Sequence, residues 1–246
     1  MNITYIIPFK YSEDRIKTLK RVLESIKKYN FEVIIVEQGE KQLLDQKDFT
    51  EKILFIENKI MFNKSFSLNV GWKNCNGDVV IFGDADLIIS KESMKDAIND
   101  IKTFEMVSPY NKVIDLTEDE SKLNNDDFFN IKRHGRGDYD NQKVPLCGGI
   151  TFFTKSALQK IGGWPEEFFG WGAEDDAMTI KVKHFLNWKE NVYDCYHIYH
   201  IKQTVYQDFY HRNFNIYQQY ANSTKEQLLD YIEKTKNIIG DINKKY

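Results

Sequence analysis

Val79-Val80-Ile81-Phe82-Gly83-Asp84-Ala85-Asp86, residues 79–86, joins four consecutive apolar residues to two carboxylates one residue apart. A short run of β-branched and aromatic residues closed by glycine reads as a buried strand. Three runs of the same kind precede it: Ile3-Thr4-Tyr5-Ile6-Ile7, stopped by Pro8, then Val33 to Val36 and Ile53 to Ile56. Helical patterns lie between them. From Ile16 the apolar positions recur at Leu19, Leu23, Ile26 and Tyr29, which is one face of a helix, and Asn63 to Asn74 reads as another. Strands alternating with helices predict an α/β fold with a mainly parallel, doubly wound sheet. Ligands of such sheets bind beyond the carboxyl ends of the strands, so the loops after Ile7, Val36 and Phe82 should share a crevice holding Asp84 and Asp86.

Downstream, Ser90 to Ile101 is expected as a helix with Ser90 as its N-cap. Glu118 to Lys143 has little periodicity and reads as a long polar loop of the kind that often serves as a lid or binding loop. Thr154 to Ile161 and Glu174 to Phe185 read as helices, Asn191 to Ile201 as extended, and Val205 to Tyr220 and Lys225 to Ile239 as helices. With no repeat or linker, residues 1–246 are expected to form one domain. Its expected parts are a nucleotide-sugar-binding half (1–101), an acceptor or catalytic half (102–203) and a C-terminal helical extension (204–246).

The bulk numbers restrict the chemistry. The chain has 246 residues, 34 Lys and Arg against 37 Asp and Glu, and a formal charge of −3, so a broad basic footprint is missing and a nucleic-acid partner is not expected. Cys75, Cys147 and Cys195 are odd in number and far apart, which argues against a disulfide framework and fits a reducing compartment. Neither a signal peptide nor a membrane-spanning run is read, which predicts a soluble, cytoplasmic protein.

Asp84 and Asp86 could face one hard divalent cation such as Mg²⁺ or Mn²⁺, which takes oxygen ligands and leaves positions for substrate phosphate. Alone the pair could equally be an acidic turn. Gly148-Gly149 and Gly162-Gly163 suggest backbone shaped around a ligand. Glu174-Asp175-Asp176 opens a helix, where negative charge is stabilised, although plain helix capping explains such acids as well. Tyr196-His197-Ile198-Tyr199-His200 holds two imidazoles three residues apart, one of which could complete a metal site.

The order of these motifs carries a resemblance. Ile7-Pro8-Phe9-Lys10, Phe62-Asn63-Lys64 with Leu68-Asn69-Val70-Gly71, Phe82 to Leu87, Gly148-Gly149 and Phe169-Gly170-Trp171-Gly172-Ala173-Glu174-Asp175-Asp176 resemble the catalytic domain of β-1,4-galactosyltransferases and chondroitin-type polymerases. The resemblance spans roughly residues 3 to 200 and implies a GT-A, Rossmann-like fold, a UDP-sugar donor, Mn²⁺ or Mg²⁺, and inversion at the anomeric carbon. It implies Asp86 and His200 as metal ligands, His200 being favoured over His197. It further implies Pro8, Phe9, Lys10, Lys64, Asp84, Gly149 and Trp171 around the donor, and Asp175, with Glu174 beside it, as the catalytic pair in which Asp175 is the base. The acceptor would be a glycan or another hydroxyl-bearing molecule.

This chain departs from the family pattern in three places. Tyr11-Ser12 stands where the family has a second basic residue, and Lys64 stands in place of an arginine, so a bidentate phosphate contact becomes a point charge. Leu146 occupies the place of a tyrosine that can restrict an N-acetyl group, so both galactose and N-acetylgalactosamine are expected donor sugars. A retaining enzyme of the same fold, a non-catalytic nucleotide-sugar or glycan-binding module, and a transferase acting on DNA through Lys132 to Arg136 stay open as alternatives.

Overall fold

The computed structural model describes residues 1–201 and 207–244. β1 (Ile3–Phe9) leads through α1 (Glu13–Ile26) to β2 (Glu32–Gly39), and β3 (Lys52–Glu57) leads through α2 (Lys64–Lys73) to β4 (Val79–Phe82). β5 (Leu87–Ile89), α3 (Lys91–Asp100), β6 (Met106–Ser108), β7 (Lys112–Asp115) and the one-turn α4 (Asn125–Phe128) follow. The chain continues with β8 (Thr151–Thr154), α5 (Lys155–Ile161), α6 (Glu174–Phe185), β9 (Trp188–Glu190), β10 (Asp194–His197), α7 (Gln207–Asn222) and α8 (Lys225–Thr235).

Seven strands form the main sheet in the order β3-β2-β1-β4-β8-β6-β9. Strands β3, β2, β1 and β4 run parallel, β8 runs antiparallel between β4 and β6, and β9 is parallel to β6. The chain therefore forms the α/β, mainly parallel sheet flanked by helices that the alternating pattern predicts. Along β1 the side chains alternate between two cores, Tyr5, Ile7 and Phe9 joining the layer under α1 and α3, and Ile6 the layer under α2, α5 and α6.

Pro8 does not stop β1 as expected; the strand runs to Phe9. Pairing with β4 ends at Ile6–Phe82 while pairing with β2 continues through Pro8–Val36. Backbone groups alternate sides along a strand, so the N–H missing at Pro8 would have pointed where β4 has already turned away. The evenly spaced parallel ladder to β2 uses the alternate residues of β1, so that pairing stays intact.

A second, three-stranded sheet, β5-β10-β7, was not legible in the pattern because its strands are three or four residues long. Its register matters for the site: antiparallel β10 sets His197 opposite Leu87, and parallel β7 sets Asp115 opposite His197. The segment read as a free polar loop, Glu118 to Lys143, is anchored instead. It contains a 3-10 turn at Glu120–Lys122 and α4, whose Phe128 is fully buried, and Arg21 of α1 donates to the carbonyls of Ser121 and Leu123. The expected Val205–Tyr220 helix falls partly on residues 205 and 206, outside the described residues; α7 covers the remainder and continues to Asn222. Among the described residues no helix is long and apolar enough to cross a membrane.

One polar side chain ties the main sheet's flank to the loop that carries the acids of α6. Asn69, fully buried in α2, donates to the Trp164 carbonyl at 2.8 Å and Glu166 Oε1 at 2.9 Å, and accepts from Trp164 N at 2.8 Å and Trp72 Nε1 at 3.0 Å. Each stranded buried partner costs about 1–3 kcal/mol, so Asn69→Ala is expected to destabilise the protein by roughly 3 kcal/mol in urea unfolding. A loss within about 0.5 kcal/mol, as at an ordinary surface position, would contradict this account.

Candidate active site

The site is assembled from loops at the carboxyl ends of the strands. α2 begins at Lys64 because Asn63 caps it, accepting from Phe66 N at 2.9 Å, while the Asn63 amide side chain donates to the Glu166 carbonyl at 2.7 Å. A cation in the first turn of a helix opposes the macrodipole. Lys64 is stable there because its ammonium lies 3.1 Å from Asp84 and 3.2 Å from Asp175. Burial works against its charge, yet Asp175, Asp84 and Glu174 outweigh that effect and hold Lys64 above the ordinary lysine range.

Asp175 sits in the first turn of α6, which opens on Ala173 in the left-handed region at φ 71°. Burial raises the Asp175 carboxyl above the ordinary carboxylate range; Lys64 opposes the shift, and Glu174 and Asp84 add to it. Glu174 beside it is buried, its carboxyl raised by burial, and among the described residues its Oε2 has no hydrogen-bond partner. Such a group costs free energy unless a ligand or water meets it.

A second cluster lies beside the first. Asp86 follows β4 two residues after Asp84, and the Ile198 amide donates to the Asp86 carbonyl at 2.8 Å, binding the histidine segment to it. His200 Nε2 is 3.2 Å from Asp86 Oδ2, and His197 Nε2 is 4.0 Å from Asp86 Oδ1. The Nδ1 atoms of both rings are occupied, that of His197 by Asp115 Oδ1 at 2.9 Å and that of His200 by the Ile201 carbonyl at 3.1 Å. Oxygens of those kinds only accept, so each Nδ1 carries a proton; each Nε2 faces Asp86, donating toward it when protonated and free to ligate a metal ion when neutral. One ligand atom from each of Asp86, His197 and His200 lies within 4.8 Å of the others. This group can hold a divalent metal ion. Two imidazoles beside one carboxylate suit Mg²⁺ poorly, since it prefers oxygen throughout. Burial pushes the Asp86 carboxyl up, but the His200 hydrogen bond and the charges of Arg15 and His197 hold it well below the ordinary range.

The remaining sequence candidates fall in different places. Phe9 gives its ring to the core, and Pro8 is buried within β1, while Lys10 follows at the strand's carboxyl end. A side chain at Gly149 would run into Leu87 and Tyr110, so that glycine serves close packing, and its neighbour Gly148 is the one that borders Asp175 Oδ2. Leu146 is buried in the core. Trp171 is 66% exposed and stacks on Tyr210 of α7 with ring centroids 5.9 Å apart. Its loop is clamped by the buried Asn213, which donates to the Phe169 carbonyl at 2.9 Å, and by Arg212, which donates to the Glu167 carbonyl at 2.6 Å.

Sequence reasoning missed Arg15, whose Nη2 lies 3.2 Å from Asp86 Oδ2 and whose buried Nε has no hydrogen-bond partner among the described residues. Its signal was a cation in the helical turn capped by Ser12, again opposed to the macrodipole. Asp115 and Tyr210 were also missed, since neither the β7–β10 register nor the packing of α7 has a local sequence mark.

Lys64→Met is expected to lower stability at neutral pH by about 1–3 kcal/mol, because it removes the cation that two half-buried carboxyl groups share. The deficit should shrink at acid pH, where protonation of Asp175 removes charge that Lys64 offsets. Urea unfolding of both proteins at the two pH values checks this; a pH-independent deficit would point to lost packing instead.

Comparison with known proteins agrees with this geometry. Residues 135–204 match the model described as the N-terminal domain of galactosyltransferase. β-1,4-Galactosyltransferase 5 of Danio rerio is 29% identical over 126 residues, a match covering 50% of this chain and 26% of that one. The chain thus spans about a quarter of that relative's length. S. aureus TarS 1-349 in complex with UDP-GlcNAc superposes with a TM-score of 0.58 at 18% identity, covering 96% of this chain and 71% of that one. A Drosophila β-1,4-galactosyltransferase 7 variant in complex with manganese, UDP-Gal and xylobiose gives a TM-score of 0.51 at 15% identity, covering 86% and 80%. These likenesses show the GT-A fold. Residues 4–162 match the model of glycosyl transferase family 2, and the chain belongs to that family.

Proposed function

We propose that this protein is an inverting, metal-dependent glycosyltransferase that moves a hexose or N-acetylhexosamine from a UDP-sugar to a hydroxyl of a glycan acceptor. The observation that carries this reading is the pairing of a half-buried, raised carboxylate, Asp175, with a three-residue metal group, the two joined through Lys64 and the Asp84-to-Asp86 turn. The structural neighbours support the donor class, one being a complex with UDP-GlcNAc and another with UDP-Gal and manganese.

In this reading Asp86, His197 and His200 hold Mn²⁺, which when bound would offset charge on the donor diphosphate. Lys64 and Arg15 face the same diphosphate, and Asp84 orients Lys64. Lys10 and the backbone at Pro8 and Phe9 flank the nucleotide. Asp175 accepts the proton of the acceptor hydroxyl as its oxygen bonds to the anomeric carbon. The bond from that carbon to the phosphate oxygen breaks, its electron pair leaves with UDP, and the configuration inverts. A carboxyl raised by burial is a stronger base than an ordinary one, which suits a group that must remove a hydroxyl proton. Glu174 adds negative charge beside it, and its unpartnered oxygen is available to a substrate hydroxyl. The stacked Trp171 and Tyr210 offer an aromatic face for a sugar ring of the acceptor.

The direct test is mass-spectrometric screening of nucleotide sugars against a panel of glycan acceptors with Mn²⁺, followed by anomeric assignment of the product. Transfer with inversion is expected; transfer with retention, or none from any UDP-sugar, contradicts the proposal. Asp175→Asn should reduce kcat by roughly 10³-fold with UDP-sugar affinity nearly unchanged. In the wild type, kcat/KM should rise with pH as Asp175 ionises, with its acid limb above the ordinary aspartate value of about 4. Collapse of donor binding in Asp175→Asn would make the residue structural. Asp86→Ala should abolish the Mn²⁺ dependence of donor binding measured by calorimetry.

A further inference from the structure

The segment between β7 and β8 has no part in the site as drawn so far, yet its charges are spent close to it. Arg133 forks onto Glu120 within the segment, and Lys132 pairs with Asp194 at 2.9 Å. Arg136 reaches Asp115, donating from Nε to Oδ2 at 3.0 Å and from Nη2 to Oδ1 at 2.9 Å. The same Asp115 Oδ1 accepts from His197 Nδ1 at 2.9 Å.

Arg136 is placed by backbone. Its amide donates to the Val113 carbonyl at 2.8 Å and its carbonyl accepts from Val113 N at 2.8 Å, an antiparallel bridge on β7. The glycines on either side make the approach possible. A Cβ at Gly135 would run into the Val113 carbonyl oxygen, and one at Gly137, which sits at φ 105°, into the Asn111 carbonyl oxygen. Gly135-Arg136-Gly137 thus sets a bidentate fork against a carboxylate whose strand is in register with His197.

We propose that Asp115, clamped by Arg136, is a positioning residue that fixes the tautomer and tilt of His197, so that its Nε2 lone pair is presented to the metal site. The inference rests on the metal-site reading given above. A carboxylate behind a ligating imidazole fixes the ring and raises its basicity, and losing one typically costs 10–100-fold in metal affinity, so a loss of roughly that size is expected here. The segment carrying Arg136 thereby becomes part of the metal centre's support.

The test is Mn²⁺ titration of the full chain by calorimetry, together with ¹⁵N NMR of the His197 ring in metal-free protein at alkaline pH. Asp115→Ala should weaken Mn²⁺ binding roughly 10–100-fold and move His197 from the Nδ1–H tautomer toward a mixture. Asp115→Asn keeps an acceptor oxygen and should restore the tautomer and part of the affinity. Arg136→Ala should weaken binding in the same direction by less. Unchanged affinity in Asp115→Ala overturns the proposal, as does lost affinity with an unchanged tautomer, which would show a merely structural role. Asp86→Ala separates the two readings. If it abolishes Mn²⁺ binding while Asp115→Ala does not, the metal site stands and the positioning role falls; if it leaves binding intact, the metal-site reading falls and this proposal with it.

Discussion

Lys64 holds its ammonium between carboxylates from distant parts of the chain, 3.1 Å from Asp84 after β4 and 3.2 Å from Asp175 in α6. Asp84, Asp86, Glu174 and Asp175 converge on one crevice, and like charges at such range repel strongly where water is scarce. Lys64 and Arg15, both in first helical turns that disfavour cations, offset this repulsion. Two helix starts are thus locally unfavourable so that one acidic site can persist. Local rules broken without a local gain are the mark of a site kept for its chemistry.

The fold distributes these duties between its two sheets. The parallel strands of the main sheet deliver Asp84 and Asp86 at a carboxyl end, where an α/β sheet has its crevice. The small sheet delivers the imidazoles: antiparallel pairing of β10 with β5 returns the chain to Leu87, next to Asp86, from more than a hundred residues away. The C-terminal helices have a separate task. Through Asn213, Arg212 and Tyr210, α7 holds the Phe169-to-Ala173 loop, whose positive φ angles at Gly170, Gly172 and Ala173 leave Trp171 in the open. Strain of this kind persists only where surrounding contacts over-determine it.

Much of this was legible in the sequence because it depends on local pattern. β4 and α6 have the boundaries read from periodicity alone, and Ser90 caps α3 as its residue type predicts; of the motif residues, Asp84 and Asp175 meet at Lys64 and Asp86 meets His200. What was not legible depends on register and tertiary pairing. His197 was ranked below His200 because nothing in Tyr196 to His200 reveals that Asp115 stands behind it. The stretch Glu118 to Lys143 looked like a loose loop because its polar residues find their partners elsewhere, Arg136 on β7 and Asn125 on Arg21 of α1. Leu146, tied to donor selectivity by its position in a motif, is buried with its side chain in the core.

The central claim is that Asp86, His197 and His200 form a metal centre that serves a UDP-sugar donor, with Asp175 across the crevice as base. Anomalous diffraction from crystals grown with Mn²⁺ and UDP tests it most directly. The account predicts one anomalous peak at coordination distance, roughly 2.0–2.3 Å, from an Asp86 oxygen and from Nε2 of both histidines, with diphosphate oxygens completing the shell. A peak held by Asp84 and Asp175 with the imidazoles turned away, or no ordered Mn²⁺ between protein and diphosphate, would contradict it.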